Sequence, residues 1–238
     1  MRAAGRHGNQ LVAADHLPAL DEIVGQYRYA HGEMLRPYHE DRLDTALWMG
    51  WEDTAKSLMP LVSDGWRRLA QARLDLRAVE KGVDGRIRQV PDALRSHPGL
   101  AYERFLWRIS KKRPDDALAL MLEVSTSAET LGRPEIWSKH RMPIARELLQ
   151  QGKFTQAYRV AANHHLTEGS NFAALEWFAG FVALRKLDRA KDAKDHFERF
   201  ISAVETPISL GRGGYWLGRA YEAMGDDNAA RQAYEFGA

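Results

Sequence analysis

The stretch that decides the fold is Tyr215-Trp-Leu-Gly-Arg-Ala-Tyr-Glu-Ala-Met-Gly-Asp-Asp-Asn-Ala-Ala-Arg-Gln-Ala-Tyr234. Leu217, Ala220, Tyr221 and Met224 fall at i, i+3, i+4 and i+7, one stripe of an α-helix. Gly225-Asp226 breaks the pattern, and Ala230, Ala233 and Tyr234 start a second stripe. Small Gly218 and Ala230 would let the two helices approach closely, while Tyr221 and Tyr234 fill the space between neighbouring pairs.

The same rhythm runs backwards through the chain. Tyr102, Phe105, Leu106 and Ile109 form one stripe, and Phe154, Ala157, Tyr158 and Ala161 another. Ala193, Phe197, Phe200, Ile201 and Val204 continue a third for three turns. A turn residue followed five positions later by an alanine recurs as Gly50…Ala55, Gly152…Ala157 and Gly225…Ala230, with looser versions at Lys112…Ala117 and Asp188…Ala193. The spacing of these alanines, 62, 40, 36 and 37 residues, fits a two-helix unit in the mid-thirties, with two units in the first gap. No run alternates with period two, so no sheet is expected. Prolines at 60, 91, 98, 114, 134, 143 and 207 read as breakers between helices of about 10–17 residues. Ser63-Asp64 and Thr206-Pro207 read as helix starts. The expectation is an all-α, tetratricopeptide-like helical-repeat superhelix, an α-solenoid. Residues 1–40 would form a helical edge segment and residues 41–238 the repeat domain.

Composition excludes several functions. The 238 residues are 45% hydrophobic and 28% charged, an ordinary globular balance. Thirty-four Lys and Arg stand against 32 Asp and Glu, mixed along the chain without a basic stripe, so no nucleic-acid partner is expected despite a pI of about 8.8. No apolar run reaches the ~20 residues of a membrane span. The basic start Met1–His7 is not followed by the apolar stretch of a secretory signal. The absence of cysteine removes disulfides, thiolate metal sites and a cysteine nucleophile.

Chemistry-bearing residues are few. No metalloprotease, nucleophile-elbow or phosphate-loop motif is present. His164-His165 are adjacent and would point ~100° apart on a helix; an exposed or capping pair is expected, and no metal. Gly211-Arg212-Gly213-Gly214 could form an anion-binding nest before a helix, or permit close packing against a neighbour. Glu168, Glu176 and Glu205 lie near the aromatic-rich part, where capping or surface pairing is expected. Trp137, Trp177 and Trp216 recur 40 and 39 residues apart, which suggests equivalent places in successive repeats. With Trp48, Trp51, Trp66 and Trp107 they are expected mainly in the core, a few lining an inner face where they could stack on sugar rings or partner side chains.

Three segments carry a family resemblance: Gly152–Gly169, Ala174–Arg185 with Ala193…His196-Phe197 downstream, and Thr206-Pro-Ile-Ser-Leu-Gly-Arg-Gly-Gly-Tyr-Trp-Leu-Gly-Arg-Ala-Tyr221. They resemble the soluble lytic murein transglycosylases, whose pattern reads Thr-Pro-Ile-Ser, then Arg, then Tyr-Trp-x-Gly-Arg-Ala. Weaker likeness runs through Arg42–Trp48, Leu58–Val62 and Gly99–Phe105. Gly211, Gly213 and Gly214 depart from it, standing where helix formers are usual. The resemblance implies a periplasmic α-superhelical domain that precedes a lysozyme-like catalytic domain. That second domain would cleave peptidoglycan glycan strands with a 1,6-anhydro product, using one glutamate as acid and then base. The family's catalytic Glu-Ser pair and Gly-Leu-Met-Gln run are not in this chain, so no catalytic residue carries over, no substrate-binding residue is assigned and no cofactor is implied. The uncovered look of Ala230, Ala233 and Tyr234 would suit a chain ending between superhelix and catalytic domain. The implied partners are peptidoglycan glycan strands or cell-wall enzymes. The alternative is a tetratricopeptide-type adaptor for protein partners.

Overall fold

The computed structural model describes Met34 and residues 36–238. Every regular element among them is helical. Most of the proposed edge segment 1–40 lies outside the described residues. The chain divides into two compact units, Met1–Ala70 and Gln71–Ala238.

In the first unit, α1 (His39–Met49) and α2 (Glu52–Leu58) pack together and bury Leu43, Ala46, Leu47, Ala55 and Leu58. α3 (Asp64–Arg77) begins here and contains the division between units. Ser63 does precede its start, and the Ser63 hydroxyl donates to Glu40 Oε1 at 2.7 Å.

The second unit continues through α4 (Val83–Gln89), α5 (Asp92–Arg95), α6 (Pro98–Ser110), α7 (Pro114–Val124) and α8 (Ala128–Leu131). Then come α9 (Pro134–Gln150), α10 (Phe154–Ala162), α11 (Gly169–Lys186), α12 (Ala190–Ser202), α13 (Pro207–Met224) and α14 (Asp227–Gly237). From α9 onward each helix packs on the next, and α11 also touches α9 and α13. The helices run from 4 to 18 residues, a wider spread than the sequence suggested. Pro143 does not break α9 but sits inside it. It is exposed, as is Lys139 four residues earlier, so water can serve the carbonyl that loses its amide partner.

One turn recurs between helices. Gly50, Lys112, Gly152, Asp188 and Gly225 have φ of 76°, 56°, 74°, 55° and 78°, all left-handed. At four of them the next residue's N–H reaches back five positions to close the preceding helix: Trp51 to Ala46, Arg113 to Arg108, Lys153 to Leu148 and Asp226 to Tyr221. At the fifth, Arg189 reaches Ala183. This is the Schellman closure, and it satisfies carbonyls a helix end would otherwise leave bare. Five residues beyond each turn residue comes a buried alanine: Ala55, Ala117, Ala157 and Ala193 at 0% exposure, and Ala230 at 3%. A sixth turn without such an alanine ends α3 at Val79, φ 58°, with Glu80 N–H on Asp75 O at 2.9 Å. It falls within the long first gap of the repeat.

The glycine run is helical. Residues 211–214 lie inside α13, capped by Thr206, whose hydroxyl accepts from Ser209 N–H at 3.3 Å. A Cβ on Gly214 would stand 2.7 Å from the Ala233 carbonyl, and one on Gly218 would collide with the Tyr234 ring. Close approach of α13 to α14 explains Gly211, Gly214 and Gly218, and close approach to Ile201 and Phe200 of α12 explains Gly213, so no nest exists there. The same packing buries Ala230 and Ala233, so the stripe expected to lie open is covered. The exposed large apolar side chains of this end are Ile208, Tyr215, Met224 and Phe236 instead.

Candidate functional site

Two features of the second unit bring chemistry-bearing side chains together. The first is a buried polar cluster around Glu176. This residue sits in the middle of α11 at 3% exposure, not at a cap or on the surface. Burial alone would raise its pKa, but hydrogen bonds from His164, His196 and Arg199 outweigh that and hold it well below the usual carboxylate range. His164 Nε2 lies 3.1 Å and Arg199 Nε 3.0 Å from Oε1, and His196 Nδ1 lies 2.6 Å from Oε2.

The hydrogen-bond pattern fixes one imidazole. Leu166 N–H donates to His164 Nδ1 at 2.8 Å, so His164 carries its proton on Nε2 and donates to Glu176. His164 and His165 lie in the loop after α10, not on a helix, and His164 is 3% exposed, so the expected exposed pair is not what forms. His165 has φ 55°, and its Nε2 donates to Ser125 O at 3.3 Å, a partner separate from those of His164. The far side of His196 meets the Tyr158 hydroxyl at 3.1 Å.

Chemically this arrangement is a clip. A carboxylate with both oxygens engaged and its pKa depressed has no proton to give at neutral pH, so it does not suit a general acid. It ties the 163–168 loop to α11 and α12. A parallel clip is Arg141 on α9, fully buried, whose guanidinium donates to Val160 O at 2.9 Å and Ser125 Oγ at 2.7 Å. Burial pushes its pKa down to about 10.

The second feature is a groove of about 330 Å³ across α9, α11 and α13, lined by Met142, Arg146, Leu149, Trp177, Phe181 and Arg212 among others. Trp177 and Phe181 stack with centroids 5.6 Å apart at 16°. Arg212 lies 4.9 Å from the Trp177 centroid and 5.0 Å from that of Phe200. No acidic residue lines the groove, and neither Arg146 nor Arg212 forms an ion pair with a described residue.

The tryptophans divide accordingly. Trp137 is fully buried and donates to Leu131 O at 3.1 Å, whereas Trp177 and Trp216 are half-buried around the core of Ala183, Ala193, Phe197 and Ala220. They do sit on alternate helices, α9, α11 and α13. Trp51, 55% exposed, lines a separate groove of the first unit with Tyr38, Asp41 and Arg42. Glu168 is the exposed residue before α11 and makes no cap, and Glu205 is exposed. The sequence did not single out Tyr158, Arg199 or Arg146; the signal available was a histidine, His196, within an otherwise apolar stripe.

Among the described residues no group of three or more His, Asp or Glu is placed to hold a metal ion, and no helix is long and apolar enough to cross a membrane. No family model, no curated protein and no solved structure matches the chain.

Proposed function

We propose that this chain is a non-catalytic helical-repeat scaffold, the superhelical domain of a soluble lytic murein transglycosylase. In this reading it works in the periplasm, holding peptidoglycan strands or partner enzymes beside a lysozyme-like domain. The observation that carries the scaffold part is the recurring left-handed turn with its buried alanine five residues on. Repetition of one turn with packing mainly between neighbours is what an α-solenoid requires. The contacts of α9, α11 and α13 along one side of residues 71–238 support that arrangement. The link to peptidoglycan rests on the sequence resemblance from Gly152 to Tyr221. Both Glu176 oxygens are engaged by His164, His196 and Arg199 inside the core, which suits a structural role for this carboxylate.

Incubation with purified peptidoglycan sacculi tests both parts. The chain should sediment with the sacculi and release no 1,6-anhydro muropeptides. Release of such products would overturn the non-catalytic reading. Absence from the pellet, with capture of a specific protein instead, would favour the adaptor.

A further inference from the structure

We infer that the groove across α9, α11 and α13 is a docking site for an acidic segment of a protein partner, one that alternates carboxylates with aliphatic side chains. This deepens the scaffold reading above by naming what the second unit would hold, and it does not draw on the link to peptidoglycan. The groove supplies cations and apolar surface but no acid. Arg146 and Arg212 are exposed on it, and neither makes an ion pair or hydrogen bond with a described residue. The neighbouring acids are committed elsewhere. Glu176, the one acid of α11, is buried among its three donors, and Glu222, the one acid of α13, pairs with Arg219 at 2.9 Å. On α9, Glu147 accepts from Gln151 Nε2 at 3.0 Å and lines a different groove, and Glu135 lies about three turns from Arg146. Two cations left without a counter-charge on one surface call for an anionic occupant.

The rest of the lining narrows the kind of anion. Trp177 and Phe181 stack on each other and Arg212 lies over Trp177, so these ring faces are engaged within the protein. A nucleobase or a sugar ring, which needs an open ring face, is poorly served. The rings act on the arginine instead. Contacts of 4.9 Å with the Trp177 centroid and 5.0 Å with that of Phe200 hold the guanidinium in place and leave its N–H groups to an outside acceptor. Met142, Leu149 and Ala174 supply accessible apolar surface beside it. Methionine in particular adapts to aliphatic side chains of varied shape. A compact phosphoryl group would use the arginines and leave that surface idle. An acidic peptide with interleaved leucines uses both, and its separate carboxylates match two arginines carried on two different helices.

The test is fluorescence-anisotropy titration of a labelled Glu-Leu-Asp-Leu-Glu-Leu-Asp peptide with the full chain. The peptide should bind saturably. Its counterpart with Gln and Asn in place of the acids, and an all-aspartate peptide of the same length, should each bind about tenfold more weakly or worse. Arg146→Gln should weaken the acidic peptide about tenfold, the effect of losing one charge-assisted pair. Arg212→Lys keeps the charge but not the planar fork and should weaken it about threefold. Arg159→Gln makes the same charge change on α10, outside the groove, and should leave binding unchanged. Circular dichroism and melting temperature establish that each variant is folded. The docking site is overturned by no saturable binding, by equal binding of either control peptide, by indifference to both groove substitutions, or by an equal loss in Arg159→Gln. Oligouridylate bound as tightly through the same arginines would overturn it in favour of RNA, and self-association lost in Arg146→Gln would overturn it in favour of a second copy. Sacculus sedimentation separates this inference from the function proposed above. If the wild-type chain sediments but binds no peptide, the docking site falls and the scaffold stands. If the peptide binds through the arginines but sacculi are ignored, the docking site stands and the cell-wall role falls.

Discussion

His196 Nδ1 lies 2.6 Å from Glu176 Oε2, joining α12 to the middle of α11 inside the core. Both residues are under 5% exposed, so the bond is formed away from water. Removing the charge while keeping the shape should therefore be costly. Glu176→Gln puts an amide where three donors converge, and its NH2 group can accept from none of them. We expect a loss of about 2–4 kcal/mol of stability, the range for disrupting a buried hydrogen-bonded charge. Urea unfolding of the two proteins measures it. A change below about 0.5 kcal/mol would mean that the cluster contributes little.

The same carboxylate sets an acid limit. Its folded pKa lies below the reference 4.5, so the folded state binds the proton less tightly than the unfolded state does. Its contribution is complete above about pH 5, declines as pH falls below the unfolded value, and is gone once pH passes the folded one. Melting temperatures recorded from pH 6 down to pH 3 should fall more steeply for the wild type than for Glu176→Gln. Parallel curves would assign the acid sensitivity to other groups.

The turns make a prediction with two signs. Nothing lies within 4 Å of a Cβ built on Gly152 or Gly225, so an alanine there suffers only from the positive φ. Gly152→Ala and Gly225→Ala should each cost about 1 kcal/mol. Lys112 already bears that cost at φ 56°, so Lys112→Gly should recover about 0.5–1 kcal/mol despite the looser unfolded chain. Asp188→Gly should gain less, because aspartate tolerates this region better. Thermal melts of the four variants check the order.

Those turns were the part of the fold most open to sequence reading. Glycine at 50, 152 and 225 advertises a left-handed helix end, and the alanine five residues later marks where the next helix must come close. Lys112 and Asp188 were legible only through their register with the glycines. Val79 was not, because a β-branched residue argues against a positive φ. The glycine run 211–214 gave the opposite difficulty. Low helix propensity pointed to a loop or nest, and helix-to-helix contact with α12 and α14 prevailed. The Glu176 cluster was beyond reach for a topological reason. Its members come from α10, the following loop, α11 and α12, and apart from His196 and Arg199, one turn apart on α12, no local spacing relates Tyr158, His164, Glu176 and that pair.

Gly214 should respond quite differently from Gly152. Its φ is ordinary, but a Cβ would lie 2.7 Å from both Ala233 O and Gly237 Cα, and these are backbone atoms that cannot swing aside. Gly214→Ala must push α14 away from α13, and overpacking of this kind costs about 1–3 kcal/mol. The damage should be local. Hydrogen exchange should quicken in residues 227–237 and leave α9 and α10 protected. Uniform quickening across residues 71–238 would mean that the last helix pair does not open by itself.

Arg77 and Glu103 offer a test of whether a buried ion pair stabilises this fold or merely completes it. Glu103 is fully buried on α6 and pairs with Arg77 at the end of α3. The neighbouring Tyr102 hydroxyl has its pKa pushed up to about 12, by burial first and by the Glu103 charge second. Arg77→Met strands that charge and should cost about 3–5 kcal/mol. Glu103→Leu in the same chain removes the stranded charge and replaces it with a side chain of similar size. The double variant should recover most of the loss, because two desolvation penalties vanish together with the attraction that offset them. A double-mutant cycle by chemical denaturation reads the coupling directly. Recovery to within about 1 kcal/mol of wild type would show that the pair adds little net stability. A double variant as unstable as Arg77→Met alone would show that α3 and α6 depend on the ion pair itself for their packing.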